Sequence, residues 1–304
     1  MTDLSVKLGR LTLKNPVTVA SGAYGYGAEY LTLYAPSLLG AVFLKGITPK
    51  PRAGNQPPRI VETPAGMLNA IGLQNVGIEG LLKDKLPALQ GIEGCFIANI
   101  AGESIDEFVQ IAEALENAPN LSGIEVNVSC PNVRKGGMAF GVSAKATEAI
   151  TRAVRKSTSL PIIVKLTPNV TDIREIARAA EAGGADAVSL INTLLGMAID
   201  IEKRRPLLGN ITGGLSGPAI RPVAVNMVWS VSRAIKIPVI GMGGVRTWED
   251  AIEFFLAGAS AISIGTAVFQ DPLSPLKILD GIQKYLEKNS IDSIKHLSEY
   301  LKKD

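Results

Sequence analysis

From Val17 onward, short runs of β-branched and aliphatic residues alternate with longer amphipathic stretches, and this alternation limits the possible folds more than any other feature. Eight such runs stand out: 17–20, 41–44, 95–98, 124–128, 162–164, 187–190, 239–240 and 261–264. Bounded by turn residues, they read as strands. Helix signals separate them. Ser104 with Glu107, Asp172 with Glu175 and Thr247 with Asp250 are N-terminal caps, and Gly183-Gly184 is a stop. The patterns predict helices over 29–34, 78–89, 104–117, 144–156, 172–182, 221–235, 247–257 and 276–288. Strand–helix units repeating at roughly 25–40 residues imply an α/β fold, a single (β/α)8 TIM barrel. Ahead of it, 4–8 and 11–13 alternate around Gly9-Arg10, the signal of an N-terminal β-hairpin that plugs the barrel floor. With no interior linker and no internal repeat, residues 1–304 read as one domain. Two long loops, the proline-rich 47–67 and the glycine-rich 194–217, have the length of active-site walls.

Chemistry in such a barrel sits where the strands end. The ends carry Ser21, Lys45, Asn99, Asn127, Lys165, Asn192-Thr193, Gly243-Gly244 and Gly265-Thr266. Two lysines, three asparagines and several hydroxyls, with no acid among them, suit an anionic ligand rich in carbonyl or phosphate oxygen. Gly-Gly and Gly-Thr at the last two strand ends suit a phosphate held on backbone N–H groups, though each pair alone also fits an ordinary turn. Lys165 is too costly to bury without a partner, and beside an isoalloxazine ring it would stabilise the reduced anion; the alternative is a solvated loop lysine. The densest stretch is GIEVNVSCPNVRKGGMAFG (123–141). It opens as a strand with Glu125, Asn127 and Ser129 on one face and Val126 and Val128 on the other. It breaks at Pro131 and continues into a glycine-rich basic loop suited to closing over a substrate. Cys130, at the start of that loop, reads either as a catalytic acid/base with Asn127 beneath it or as a buried structural cysteine.

Other classes are poorly supplied. The 31 basic and 28 acidic residues, net +3, are too balanced for nucleic acid or an anionic membrane surface. No apolar run is long enough to span a bilayer, and MTDLSVKLGR is no signal peptide. Two cysteines, Cys95 and Cys130, and one histidine, His296, make neither a metal set nor a Ser–His triad. Scarce cysteine fits a reducing cytoplasm. Cys95 reads as core and His296 as surface. Lys50, Arg52 and the run Lys203-Arg204-Arg205 read as solvated charge. Gly22, Gly25 and Gly27 lack the context of a dinucleotide fingerprint.

The motifs NAIGLQN (69–75), EVNVSCPNVRKGG (125–137), INTLLGMAIDIEKRRPLLGNITGGLSGPA (191–219), GMGG (241–244) and IGTA (264–267) resemble the dihydroorotate dehydrogenases, along essentially the whole chain. The pattern is most similar to class 1B catalytic subunits. It lacks the N-terminal extension and serine base of the membrane-associated class. The resemblance implies oxidation of dihydroorotate to orotate in pyrimidine (UMP) biosynthesis. FMN would touch Ser21, Lys45, Gly46, Asn99, Asn127, Lys165, Ile191, Gly217, Gly243, Gly244, Gly265 and Thr266. Substrate would meet Lys45, Asn69, Ala70, Ile71, Gly72, Leu73, Asn127, Asn192 and Thr193. Cys130 would take the C5 proton while the C6 hydride goes to N5 of FMN, with a rate that rises toward alkaline pH. Electrons would pass to NAD through a second subunit carrying FAD and a 2Fe-2S cluster, in a heterotetramer. The competing expectations are a fumarate-using class 1A enzyme, a dihydropyrimidine dehydrogenase-like reductase, and a non-redox phosphate-binding barrel.

Overall fold

The computed structural model describes residues 2–129 and 140–301. The eight runs form a closed parallel barrel in sequence order. Its strands are β1 (Val17–Val19), β2 (Ala41–Phe43), β3 (Phe96–Ile100), β4 (Leu121–Asn127), β5 (Ile162–Lys165), β6 (Ala187–Leu190), β7 (Val239–Met242) and β8 (Ala261–Ile264). Ile262, Ser263 and Ile264 pair with Val17, Thr18 and Val19, which closes the ring and removes its edges. Helices Ile105–Leu115, Ala144–Ser157, Ile173–Ala182, Arg221–Ser232, Trp248–Leu256 and Ser274–Lys288 surround it.

Both faces of each strand are covered, by helices outside and by the barrel's own filling inside. The alternation in β4 therefore separates two dry faces. Glu125 is as fully buried as Val126. The caps largely follow the sequence signals. Thr247 and Asp250 make a reciprocal capping box. Ser104 accepts from the Glu107 N–H, but the Glu107 carboxylate reaches back to Glu103 N (2.6 Å) instead of Ser104. Asp172 caps through Arg174 N.

Two helix expectations are corrected. Residues 29–34 form consecutive turns, because six residues cannot offset helix nucleation and their side chains are engaged elsewhere. Glu29 accepts from Tyr26 N (2.8 Å), and Tyr30 stacks on Tyr24 with ring centroids 4.1 Å apart. The span 78–89 breaks into a short α-turn (Gly77–Gly80), a π-turn (Leu81–Lys85) and a 3-10 turn (Pro87–Leu89). Pro87 has no N–H to donate and would clash with the carbonyl four residues back.

The two long loops also differ from their sequence reading. They build a four-stranded antiparallel sheet of Leu194–Met197, Thr212–Ser216, Gly66–Asn69 and Ile60–Thr63, in that order. Glycine makes the pairing possible: a Cβ on Gly66 would lie 2.0 Å from Ser216 O, and one on Gly213 2.6 Å from Asn69 O. A ribbon of Ile199–Asp200 with Arg205–Pro206 extends this arm and leaves Leu195, Ile199, Ile201 and Ile211 exposed.

The N-terminal hairpin, Val6–Leu8 with Leu11–Leu13, buries Val6, Leu8 and Leu13 against the core, and Arg10 at its turn reaches the foot of β6. Arg10 donates to both oxygens of Asp186 (2.8 and 2.9 Å) and to the carbonyls of Ser159 and Leu160. Burial pushes the Asp186 carboxyl up, but Arg10, the Ile162 N–H and Arg155 outweigh it and hold it below the usual aspartate range. Arg10→Ala should lower stability by about 1 kcal/mol, a figure discounted because Arg10 is half exposed. A carboxyl that titrates lower when folded than when unfolded stabilises fully above its unfolded value of about 3.9, and that stabilisation is lost as pH falls through the folded value. The gap between wild type and variant in urea unfolding should therefore hold at pH 7 and shrink below about pH 4.

Candidate active site

At the C-terminal ends of the strands, register brings polar side chains to common levels. Asn99 on β3 pairs with Glu125 on β4, Asn127 with Lys165 on β5, and Lys165 with Ser189 on β6. Asn99 Nδ2 donates to Glu125 Oε2 (2.6 Å), and Ser189 Oγ donates to Glu125 Oε1 (2.7 Å). Asn99 Oδ1 is buried and has no donor among the described residues. One level up, Ser129 Oγ donates to Asn127 Oδ1 and accepts from Asn192 Nδ2. Lys165 is only 6% exposed, yet among the described residues its ammonium has neither a hydrogen bond nor an ion pair. A buried carbonyl acceptor without a donor among the described residues, beside a lysine at the end of β5, suits a ligand with an N–H and negative charge.

Across the mouth, β7 and β8 end in a corner lined by backbone. Gly217, Gly243 and Gly244 all take positive φ (93°, 120° and 81°). A Cβ on Gly244 would lie 2.8 Å from Gly217 O, and one on Gly243 3.1 Å from Ile191 Cγ1, so these four residues meet. Thr266 Oγ1 donates to Ser216 Oγ (2.8 Å), tying the end of β8 to the four-stranded sheet. Beside Ser21, a Cβ on Gly22 would meet nothing within 4 Å, and one on Gly265 would touch only Ala20 Cβ at 3.8 Å.

The sheet supplies the opposite wall. Asn69 pairs with Gly214, which also pairs with Leu195, and a Cβ on Gly214 would overlap the Thr193 hydroxyl. Asn69 and Thr193 are thereby brought to one place. Ala70 to Leu73 follow as a turn, with Gly72 and Leu73 at positive φ. Asn75 pins that turn: its Nδ2 donates to Leu73 O (2.7 Å) and Thr48 Oγ1 (2.8 Å), and its Oδ1 accepts from Gly77 N (2.7 Å). Gly46 sits against Asn99, with its Cβ position 2.9 Å from Oδ1. Lys45 is half-buried, and burial lowers its ammonium below the usual lysine range. Arg59 lowers it further, and Glu29 offsets part of the effect.

Cys130, the sequence's candidate for acid/base work, lies outside the described residues, immediately beyond Ser129. Cys95 precedes β3 and packs partly buried against the core, where burial pushes its thiol up. His296 is exposed beside Glu299. Among the described residues no group of three His, Cys, Asp or Glu side chains is placed to hold a metal. A cavity of about 480 Å³ lies outside the barrel between Arg221, Trp229 and Leu301, and none of the mouth residues lines it. Strand alternation places Glu125 on a polar face but does not make it a partner of Asn99.

The family profile described as dihydroorotate dehydrogenase matches residues 3–286. A relative from Bacteroides thetaiotaomicron, named dihydroorotate dehydrogenase B (NAD(+)), catalytic subunit, is 52% identical over 297 residues and covers 98% of each chain. Relatives of the same name from Geotalea uraniireducens and Desulforamulus reducens are 52% and 53% identical, each over 97% of both chains. Among solved structures, that of an Eimeria tenella DHODH in complex with ferulenol superposes with a TM-score of 0.80 at 22% identity, over 98% of this chain and 89% of that one. At that identity the likeness speaks for the barrel alone. The family profile and the relatives at half identity lead to one conclusion: this chain belongs to the dihydroorotate dehydrogenase family.

Proposed function

We propose that this chain, acting as one domain, oxidises dihydroorotate to orotate as the catalytic subunit of an NAD-linked dihydroorotate dehydrogenase in pyrimidine biosynthesis. The observation that carries the proposal is the mouth of the barrel. Asn99, Asn127 and Lys165 lie together at neighbouring strand ends, a glycine corner lies at the last two strands, and Lys45 follows β2. The family and the names of the relatives point the same way.

FMN fits what is there. Asn99 Oδ1, without a donor among the described residues, suits an N–H, and the Lys165 ammonium suits negative charge. Gly217, Gly243, Gly244, Gly265 and Thr266 would take its phosphate, with Ile191 and Gly46 against the ring and Ser21 beside it. Bound FMN supplies the hydride acceptor. The chain's own residues do the rest. Cys130 removes the proton from C5 as C6 loses a hydride, which leaves the C5–C6 double bond of orotate. Lys45 neutralises the substrate carboxylate. Asn69, Asn127, Asn192 and Thr193 orient the ring, with the 70–73 turn closing over its edge. Lys165 brings a desolvated positive charge to the ring site.

The relatives are named catalytic subunits, which supports a partner protein. A 2Fe-2S cluster needs four protein ligands, commonly cysteines, and this sequence has two cysteines and one histidine. The FAD and 2Fe-2S of an NAD-linked enzyme would therefore reside in that partner, in a cytoplasmic heterotetramer. The exposed apolar residues of the arm, with Ile201 at 79% exposure, support an assembled chain. Among the described residues no helix is long and apolar enough to cross a membrane.

Anaerobic mixing with dihydroorotate should bleach the bound flavin, and dihydrouracil should not. Bleaching by dihydrouracil alone would replace the substrate assignment. Reoxidation by NAD should need the partner subunit, and reoxidation of the isolated chain by fumarate would overturn the NAD linkage. Cys130→Ala should slow flavin reduction by about 10²–10⁴-fold while FMN stays bound. Gly244→Ala would place a methyl group 2.8 Å from Gly217 O at a φ of 81°. By distorting the phosphate corner it should weaken FMN binding by about tenfold or more in fluorescence titration.

A further inference from the structure

We propose that Glu125 is the positioning residue that turns Asn99 into a hydrogen-bond acceptor for the ring N3–H of the flavin, an assignment that rests on the FMN reading above. An amide side chain has two ends of nearly equal shape, and its neighbours decide which end faces a ligand. Glu125 decides it here. Its carboxylate is wholly buried inside the barrel and takes Asn99 Nδ2 on one oxygen (2.6 Å) and Ser189 Oγ on the other (2.7 Å). With only acceptors to offer, it holds the amide's N–H₂ and leaves Oδ1 as the free end. That oxygen is buried without a donor among the described residues, beside Gly46, where a Cβ would come within 2.9 Å of it. An unmade bond of this kind is costly unless a ligand completes it. The oxidised isoalloxazine ring has a single N–H, at N3, and its other polar ring atoms are acceptors. The free end of Asn99 matches that one position.

Glutamine at 125 would present one donor and one acceptor where the carboxylate presents two acceptors. With Ser189→Ala also removing the hydroxyl that could accept from Gln Nε2, Asn99 would turn its oxygen toward Nε2 and face the ring with its N–H₂. The test titrates apoprotein with FMN and with 3-methyl-FMN, which lacks the N–H, and follows flavin fluorescence. Wild type should prefer FMN by about 10–100-fold. Glu125→Gln with Ser189→Ala should lose that preference and bind FMN weakly. The exchanged pair Glu125→Gln with Asn99→Asp should regain both, because Gln Nε2 then holds one Asp oxygen and the other faces the ring. A merely structural carboxylate would not be rescued by moving the charge to position 99. Equal wild-type affinity for the two flavins, or a Glu125→Gln, Ser189→Ala protein that keeps the preference, would overturn the assignment and leave the FMN reading standing. Failure of wild type to bind FMN at all would remove both. Should Glu125→Gln with Ser189→Ala not fold, the exchanged pair decides: preference for FMN supports the assignment, and indifference overturns it.

Discussion

A closed barrel of eight strands has to fill its own interior, and that requirement governs the rest of this structure. The lower interior and the strand–helix interface are filled with Val, Ile, Leu and Phe side chains of the single large core. Toward the C-terminal ends the filling changes to Asn99, Glu125, Lys165 and Ser189, all nine-tenths or more buried. Such groups are tolerated away from water only when each has its partner. Asn99 Oδ1, which has no donor among the described residues, marks where a ligand group would be received. The chemistry of the mouth is thus written as unmet hydrogen-bond and charge requirements at the top of a packed barrel.

Parallel register turns this local requirement into a shared geometry. Neighbouring strands align Asn99 with Glu125 and Asn127 with Lys165, so side chains far apart in sequence reach the same height without depending on loop conformation. The loops then add what strands cannot supply. Glycines at positive φ let backbone crowd into the corner at β7 and β8, and the antiparallel sheet carries Asn69 and Thr193 over the opening. At the other end, the Arg10–Asp186 pair fastens the floor well away from the chemistry.

The barrel was legible because its strands are short β-branched runs bounded by turn residues, with caps such as Thr247 and Asp250 between them. Once the strands were placed, Lys45, Asn99, Asn127 and Lys165 followed from counting to the strand ends. The four-stranded sheet was not legible. Gly66, Gly213 and Gly214 lower the strand signal of their segments, and its central pairing joins Met67 to Ser216 across most of the chain. Glu125 escaped notice as a functional group for a related reason. Alternation gives a side chain's face, but only the closed barrel makes that face a dry interior shared with Asn99 and Ser189.

The strand Thr212–Ser216 deserves a mechanical reading. Its first half backs Asn69 and Thr193, and its last residue accepts the Thr266 hydroxyl above the glycine corner. A β-strand is nearly inextensible, and a slip by one residue would turn every side chain to the wrong face. One strand thus links the segment that carries Asn69 and Thr193 to the end of β8, so a substitution that shifts its register would disturb both ends of the mouth together.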